Sequence, residues 1–438
     1  MRVNRANNRN ASILIVAIWI VLLLASIVIV IARKLRVQQL ITSNNEAIVK
    51  CEAIVSGALN YSLAALTSGN ADSDDFEAVK VGEGYFWLIK PELADSDTLS
   101  YGLVDEAGKI NLNSASYDML AKLPGMTSEL AYSIIDWRDG DHEISTGGAE
   151  SEYYLLLPDG YTCKDAPLES VEEVLLIKGA EVSMLYGEDA NRNGVLDDNE
   201  NDGEESLPSD DSNSILDEGF YNYVTVSSYE PAETGSNAPI NVNDRTARPR
   251  LTNMLIEQLG EERTYEVLPA INLKYNYISV MDFYYTSQLE SDEFAPMLYR
   301  LSISDAERQG LVNVNSAPGP VLLCLPGLEQ TDVDMLLEYR SDNTPDGDSY
   351  LWVTEVLDRE KVLLIANFIT GRSLQFSADI LAATANGRAF RRYQFIIDNA
   401  GSEPKVLMRK PLSNLPWPLD MEVLEKLRDG TFETENLM

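Results

Sequence analysis

Ala11–Ala32 reads ASILIVAIWIVLLLASIVIVIA, and this run with its continuation decides the fold. Its 22 residues carry no charge, and only Ser12 and Ser26 are polar. At about 1.5 Å per residue, the run is long enough to cross a hydrocarbon core roughly 30 Å thick. It exceeds the roughly 7–15 apolar residues of a secretory signal. Arg33, Lys34 and Arg36 follow it where a signal would show a small-residue cleavage site. The reading is a basic leader, 1–11, then a transmembrane helix, 12–36. Beyond it Ile41, Ile48, Val55, Leu59, Leu63 and Leu66 recur at helical steps. No proline precedes Pro91. The pattern predicts one helix of about 55 residues, on the order of 80 Å long, half in lipid and half laid on a domain.

The chain has 438 residues, 34 Lys+Arg against 70 Asp+Glu, one histidine and three cysteines, for a net charge of −36. Six of the basic residues and no acid lie in 1–36, so the rest carries −36 − 6 = −42. So acidic a head disfavours nucleic acid as a partner and is read as exported, with the N-terminus in the cytoplasm. A lone His142 argues against histidine zinc sites and Ser–His or Cys–His catalysis. Cys51, Cys163 and Cys324 are read as small buried apolar residues. No phosphate loop, Gly-x-Ser-x-Gly or dinucleotide fingerprint occurs, and nothing singles out a pair of carboxylates for hydrolysis.

Residues 84–105 read as two short strands joined by a polar turn. SLQFSADILAAT and RRYQFIIDNAG, joined through Asn386-Gly387, and then KVLMRKPL give strands over 373–411. Early and late strands flanking a long middle predict one small antiparallel sheet, 37–108 with 372–411, interrupted by an insertion over 109–371. Residues 412–438 read as a tail with one short helix.

The insertion carries a repeat over 109–141 and 311–341: KINLNSASYDMLAKLPGMTSELAYSIIDWRD and LVNVNSAPGPVLLCLPGLEQTDVDMLLEYRS occur within those bounds. INVND at Ile240–Asp244 is a third opening without the Leu-Pro-Gly. Ser114 or Ser316 is expected to cap a first helix, Leu-Pro-Gly to end it, and a second amphipathic helix to follow. The unit resembles the helix-hairpin-helix element of SAM-like domains, which often grips DNA phosphates. Here the second hairpin glycine is missing and acids crowd the unit, so a structural role is preferred. A membrane-tethered DNA-uptake protein stays as the alternative, and an anchored acidic hydrolase as a third.

Asp189–Glu200 reads DANRNGVLDDNE. A calcium loop needs short oxygen-bearing side chains at alternate positions, a glycine at the sixth, a carbonyl at the seventh and a carboxylate at the twelfth. Asp189, Asn191, Asn193, Gly194, Val195, Asp197 and Glu200 fill those places. Asp211, Asn213 and Asp217 form a poorer second echo, with Ser214 where glycine belongs. Calcium is expected to order 187–220, where repulsion among carboxylates would otherwise prevail.

A long apolar helix continuing onto a small antiparallel sheet resembles the type IV pilins and pseudopilins. The block Asp136–Gly179, with Trp-Arg-Asp, Gly-Ala-Glu, Tyr-Tyr, Ala-Pro and Ser-Val-Glu-Glu in that order, resembles the GspK family of type II secretion minor pseudopilins. In that block Ser170 reads as the cap of a helix opening on Glu172 and Glu173. The resemblance implies an α+β pseudopilin fold with a mainly helical insertion, and no enzymatic activity. It implies calcium in the acidic loop and cleavage by a prepilin peptidase at Ala11–Ser12. Most pilins carry Gly before that cut and Glu five residues after it; here Ala11 and Val16 stand there, and loss of the glutamate is the departure the GspK family makes. The implied place is the tip of a periplasmic pseudopilus, rooted in the inner membrane and partnered by the I- and J-type minor pseudopilins.

Overall fold

The computed structural model describes residues 8–69, 76–92, 98–232, 235, 238–271, 275–343, 345 and 347–433, with side chains from residue 15 onward. The first seven residues of the leader, the expected turn at 93–97 and the last five residues of the tail lie outside the described residues.

The first helix, α1, runs unbroken from Asn8 to Ser68, 61 residues. It extends the expected rod and begins inside the leader, so Ala11 and Ser12 both lie within it. The buried stripe differs from the one expected. Ile41 is 54% exposed, whereas Ala47, Cys51, Ile54, Val55, Ala58, Ser62 and Leu66 are buried. The face that packs is therefore dominated by small side chains, which let the helix axis approach the sheet closely. Gly84 completes that approach: a Cβ there would lie 2.4 Å from Ile54 Cδ1 and 2.3 Å from the Ala383 carbonyl oxygen.

The sheet has seven strands: β1 Val79–Val81, β2 Gly84–Lys90, β3 Ser100–Tyr101, β4 Val104–Asp105, β5 Gln375–Thr384, β6 Phe390–Asp398 and β7 Lys405–Pro411. Their order is β1-β2-β5-β6-β7, with β3 on β2 and β4 on β5, and every pairing is antiparallel. Early and late strands thus interleave as the sequence predicts, the centre being β2 beside β5 with Trp87 opposite Leu381. Side chains alternate across β2. Phe86 and Leu88 pack with Ile54, Val55 and Ala58 of α1. Tyr85, Trp87 and Ile89 pack on the other face with Trp417, Leu424 and Leu427. The C-terminal segment is therefore no loose tail: its helix Met421–Asp429 covers a second apolar face that the α1 seat leaves open.

Between β4 and β5 the insertion has its own core. It contains three units built to one plan. Each opens on a two-residue strand (Ile110–Asn111, Ile240–Asn241, Val312–Asn313) paired in parallel with a closing one (Val224–Thr225, Leu301–Ser302, Ile369–Thr370). The paired asparagines explain the opening motif. In the first unit Asn111 Oδ1 accepts the Asn113 N–H at 2.8 Å, while the Asn113 side chain accepts from the Leu168 N–H (2.7 Å) and donates to the Leu168 carbonyl (3.0 Å). Asn241 with Asn243, and Asn313 with Asn315, repeat the first bond at 3.0 and 2.9 Å. Arg138 and Arg340 then tie the second helix back, each donating to two carbonyls of its own opening motif.

Helices Tyr117–Leu120 with Ser128–Arg138, and Gly319–Leu323 with Gln330–Asp342, flank the two Pro-Gly turns. The expected serine caps are displaced. Ser116, not Ser114, accepts from the Met119 N–H, and the second unit starts on Pro318 without a side-chain cap. Ser316 donates instead to Asp105 at 2.6 Å, joining the insertion to β4. Ser170 makes no capping bond either: Glu173 there accepts from the Glu169 N–H and from Trp137 Nε1. The third unit, lacking Leu-Pro-Gly, carries two helical segments within Arg248–Val267 that meet at a non-helical Gly260 (φ 80°), followed by the helices Val280–Ser287 and Ser291–Phe294. All three cysteines are free and buried.

Candidate metal centre

Asp189–Glu200 folds as a tight, largely buried loop against the sheet. Asp189, Asn191, Asn193 and Glu200 are all buried, while Asp197 is half-buried. Asp189 Oδ1 accepts from the Asn193 N–H (3.1 Å) and its Oδ2 from the Gly194 N–H (2.9 Å). Asn193 Oδ1 accepts from the Val195 N–H at 2.7 Å. Glu200 closes the circle, accepting from the Ala190 N–H (2.8 Å) and the Asp197 N–H (3.1 Å). Gly194 has φ 75°, and a Cβ there would lie 2.7 Å from Pro91 Cβ, so the sixth position needs glycine on two counts.

The loop is gripped from behind. Arg392 of β6, fully buried, donates to both Asp379 oxygens (2.8 and 2.7 Å) and to the carbonyls of Asn191 and Arg192. Asn193 Nδ2 reaches the Pro418 carbonyl at 2.9 Å. Arg192 turns outward and lies over the Tyr186 ring, 3.7 Å from its centroid.

Charge inside the loop is not balanced. Burial raises the carboxyls of Asp189 and Asp197, and burial with the Asp189 charge pushes Glu200 up to about 7. Asn191 Oδ1 is buried without a hydrogen-bond partner. An orphaned oxygen among three raised carboxyls is the donor set that a hard cation fits. The second echo is built otherwise. Asp211, Asn213 and Asp217 are exposed, and Asp211 and Asn213 satisfy each other and the nearby chain through local turns.

The two hairpins are tied to each other. Lys122, beside the first Pro-Gly turn, donates to the carbonyls of Leu323, Leu325 and Leu328 around the second (2.8, 3.1 and 3.4 Å). A Cβ on Gly327 would lie 2.7 Å from Leu364 Cδ1. Gly327 itself stays exposed with Leu364 alongside it, and in the first turn nothing lies within 4 Å of a Cβ on Gly125.

Sequence reasoning missed three functional ties. Asp105 Oδ2 accepts from Ser316, Ser373 and Asn313 (2.6, 2.6 and 2.9 Å), fixing the insertion to the sheet. Arg392 holds the loop Asp189–Glu200 through the carbonyls of Asn191 and Arg192. Two of the three closing strands share a Thr at their second position: Thr225 donates to Glu106, and Thr370 to Glu230 at 2.6 Å. Val-Thr-x-x-Ser at 224–228 and Ile-Thr-x-x-Ser at 369–373 was the available signal.

Fold and site define an α+β chain in which a long apolar N-terminal helix lies on an antiparallel sheet that carries a polar-clamped insertion. Residues 103–186 match the family model of type II secretion system protein K. The resemblance drawn from Asp136–Gly179 is thereby borne out over those residues. A chain of the solved GspK–GspI–GspJ complex from the type 2 secretion system of enterotoxigenic Escherichia coli is similar at 11% identity and a TM-score of 0.44, covering 84% of this chain and 98% of that one. No curated protein matches the sequence.

Proposed function

We propose that this chain is a non-enzymatic minor pseudopilin of a type II secretion system. It sits at the tip of the periplasmic pseudopilus, takes part in protein export, and is partnered by the I- and J-type minor pseudopilins. Residues 12–36 anchor it in the inner membrane, with the N-terminus cytoplasmic and the head periplasmic. The observation that carries this reading is the division of α1. Its outer part is seated on the sheet by small residues, while the apolar run Ile15 to Ile31 is exposed. An 18-residue window of this helix reaches a mean hydropathy of 3.3 with none of it buried. A single rod of that kind can span a bilayer and then pack against neighbouring rods. The match over 103–186 supports the same reading. The absence of a glutamate at Val16 suits a subunit that has no neighbour beyond it. Co-expression in membranes tests the proposal: Ile41→Glu should abolish co-purification with the I- and J-type partners. Unchanged co-purification would overturn helix-mediated assembly.

The loop Asp189–Glu200 is read as a structural calcium site held by Asp189, Asn191, Asn193, Asp197 and Glu200 with the Val195 carbonyl. Bound there, calcium would supply the positive charge that the loop's own N–H groups do not. Heating the full chain in detergent with calcium and with chelator should separate the melting temperatures by a few degrees, as saturation at about 100 times Kd contributes roughly 2.7 kcal/mol. Glu200→Gln should shrink the gap, and an undiminished gap would remove the site. The helix pairs around Pro-Gly are read as helix-hairpin-helix elements of a SAM-like scaffold, used for packing. Lys122, whose ammonium is spent on the carbonyls around the second turn, and the missing second hairpin glycine favour that over DNA gripping.

A further inference from the structure

A second group of acids, far along the chain from the calcium loop's sequence pattern, converges on one buried carboxylate. Glu150 is 3% exposed and stands at the N-cap of the short helix Ser151–Tyr154, yet makes no capping bond. Both its oxygens are buried without a hydrogen-bond partner, and so are Asp139 Oδ1 and Asp165 Oδ1. One oxygen each from Asp139, Asp141 and Glu150 lie within 4.8 Å of one another. Ligand atoms of His142, Glu150 and Asp165 do the same. Three separate pieces of chain supply these groups: the end of helix Ser128–Arg138, the turn into Ser151, and the stretch after Cys163. Asp165 is held there at φ 51°, a conformation unusual for a residue with a side chain.

Leaving several buried acceptors unpaired costs about 1–3 kcal/mol each, and more for charged groups. The neighbours do not relieve them. Asp136 is itself buried and adds negative charge; its oxygens accept from the Ser145 N–H at 3.3 and 3.2 Å. Arg138, at the same helix end, is committed to the carbonyls of Leu112 and Ala115. A cation is the missing partner. All four orphaned atoms are carboxylate oxygens, which selects a hard ion of the calcium class over zinc.

We propose that Asp139, Asp141, Glu150 and Asp165 form a divalent-cation site of the calcium class that pins the loop 139–150 to the segment after Cys163. It is independent of the loop at Asp189–Glu200 and of the assembly role. The test counts calcium bound to the full-length chain in detergent, after chelator treatment, by equilibrium dialysis. Two equivalents are expected for the unaltered chain, one for Glu200→Gln, one for Glu150→Gln and none for the double variant. Glu150→Gln removes a buried charge, so in chelator it should melt no lower than the unaltered chain; Asp139→Asn provides a second reading of the same site. Full retention of calcium by both variants would overturn the proposal. Zinc bound in place of calcium, and lost in His142→Ala, would overturn the oxygen-only ligand class. If Glu200→Gln left both equivalents in place while Glu150→Gln lost one, the calcium-loop reading would fail and this one would stand.

Discussion

The two halves of α1 obey opposite rules within one unbroken helix. From Ile15 to Ile41 its large apolar side chains point into open surroundings; Trp19 is 70% exposed and Val21 63%. From Ala47 to Leu66 its contacts fall mostly on small residues, with Ala58 and Cys51 completely enclosed. Polar groups guard the edges of this seat: Glu52 accepts from the Tyr393 hydroxyl at 2.6 Å and from Arg409 at 2.8 Å. Hydrophobicity alone therefore does not mark the packed half. Bulk lies on the half that meets nothing else in the chain, and smallness where a sheet must come near.

Three substitutions break or sharpen that contrast. Val55→Glu places an unpaired charge between helix and sheet and should cost about 4 kcal/mol or more, leaving little folded protein by circular dichroism. Ala58→Leu overfills the seat and should cost roughly 1–3 kcal/mol in denaturant unfolding, with the fold retained. Ile41→Glu should leave the stability of the head within about 0.5 kcal/mol while partner binding is lost. A large stability loss at Ile41 would mean that the bare half also packs on the head.

Much of this division was legible in advance. A proline-free apolar run, an Asn-Gly hairpin and strands on either side of a long middle carry local signals, and each became an element. The pattern of Asp189–Glu200 was equally plain, because all of its residues lie within twelve consecutive positions. The seat of α1 was not: an apolar periodicity favours Ile41 and Ile48 over Ala47 and Ala58, since the size that permits close approach is set by the sheet. The three-unit plan of the insertion was half visible. Opening motifs announce themselves, whereas their parallel partners lie far along the chain and are only two residues long. Asp105 and Arg392 look like ordinary strand residues; their importance arises from what a distant segment brings to them.

The pairing of β2 with β5 sets Ile89 opposite Asp379, with the whole insertion looped out between them. Loop closure on that scale is slow, and contacts so remote in sequence form late. The seat of the helix, begun by Phe86 and Leu88 of β2, is consequently incomplete until β5 and β6 have been made. A chain cut short before β5 would leave Ile54, Val55 and Ala58 without the strand residues Ala378, Ile380 and Ala382 that complete their cluster.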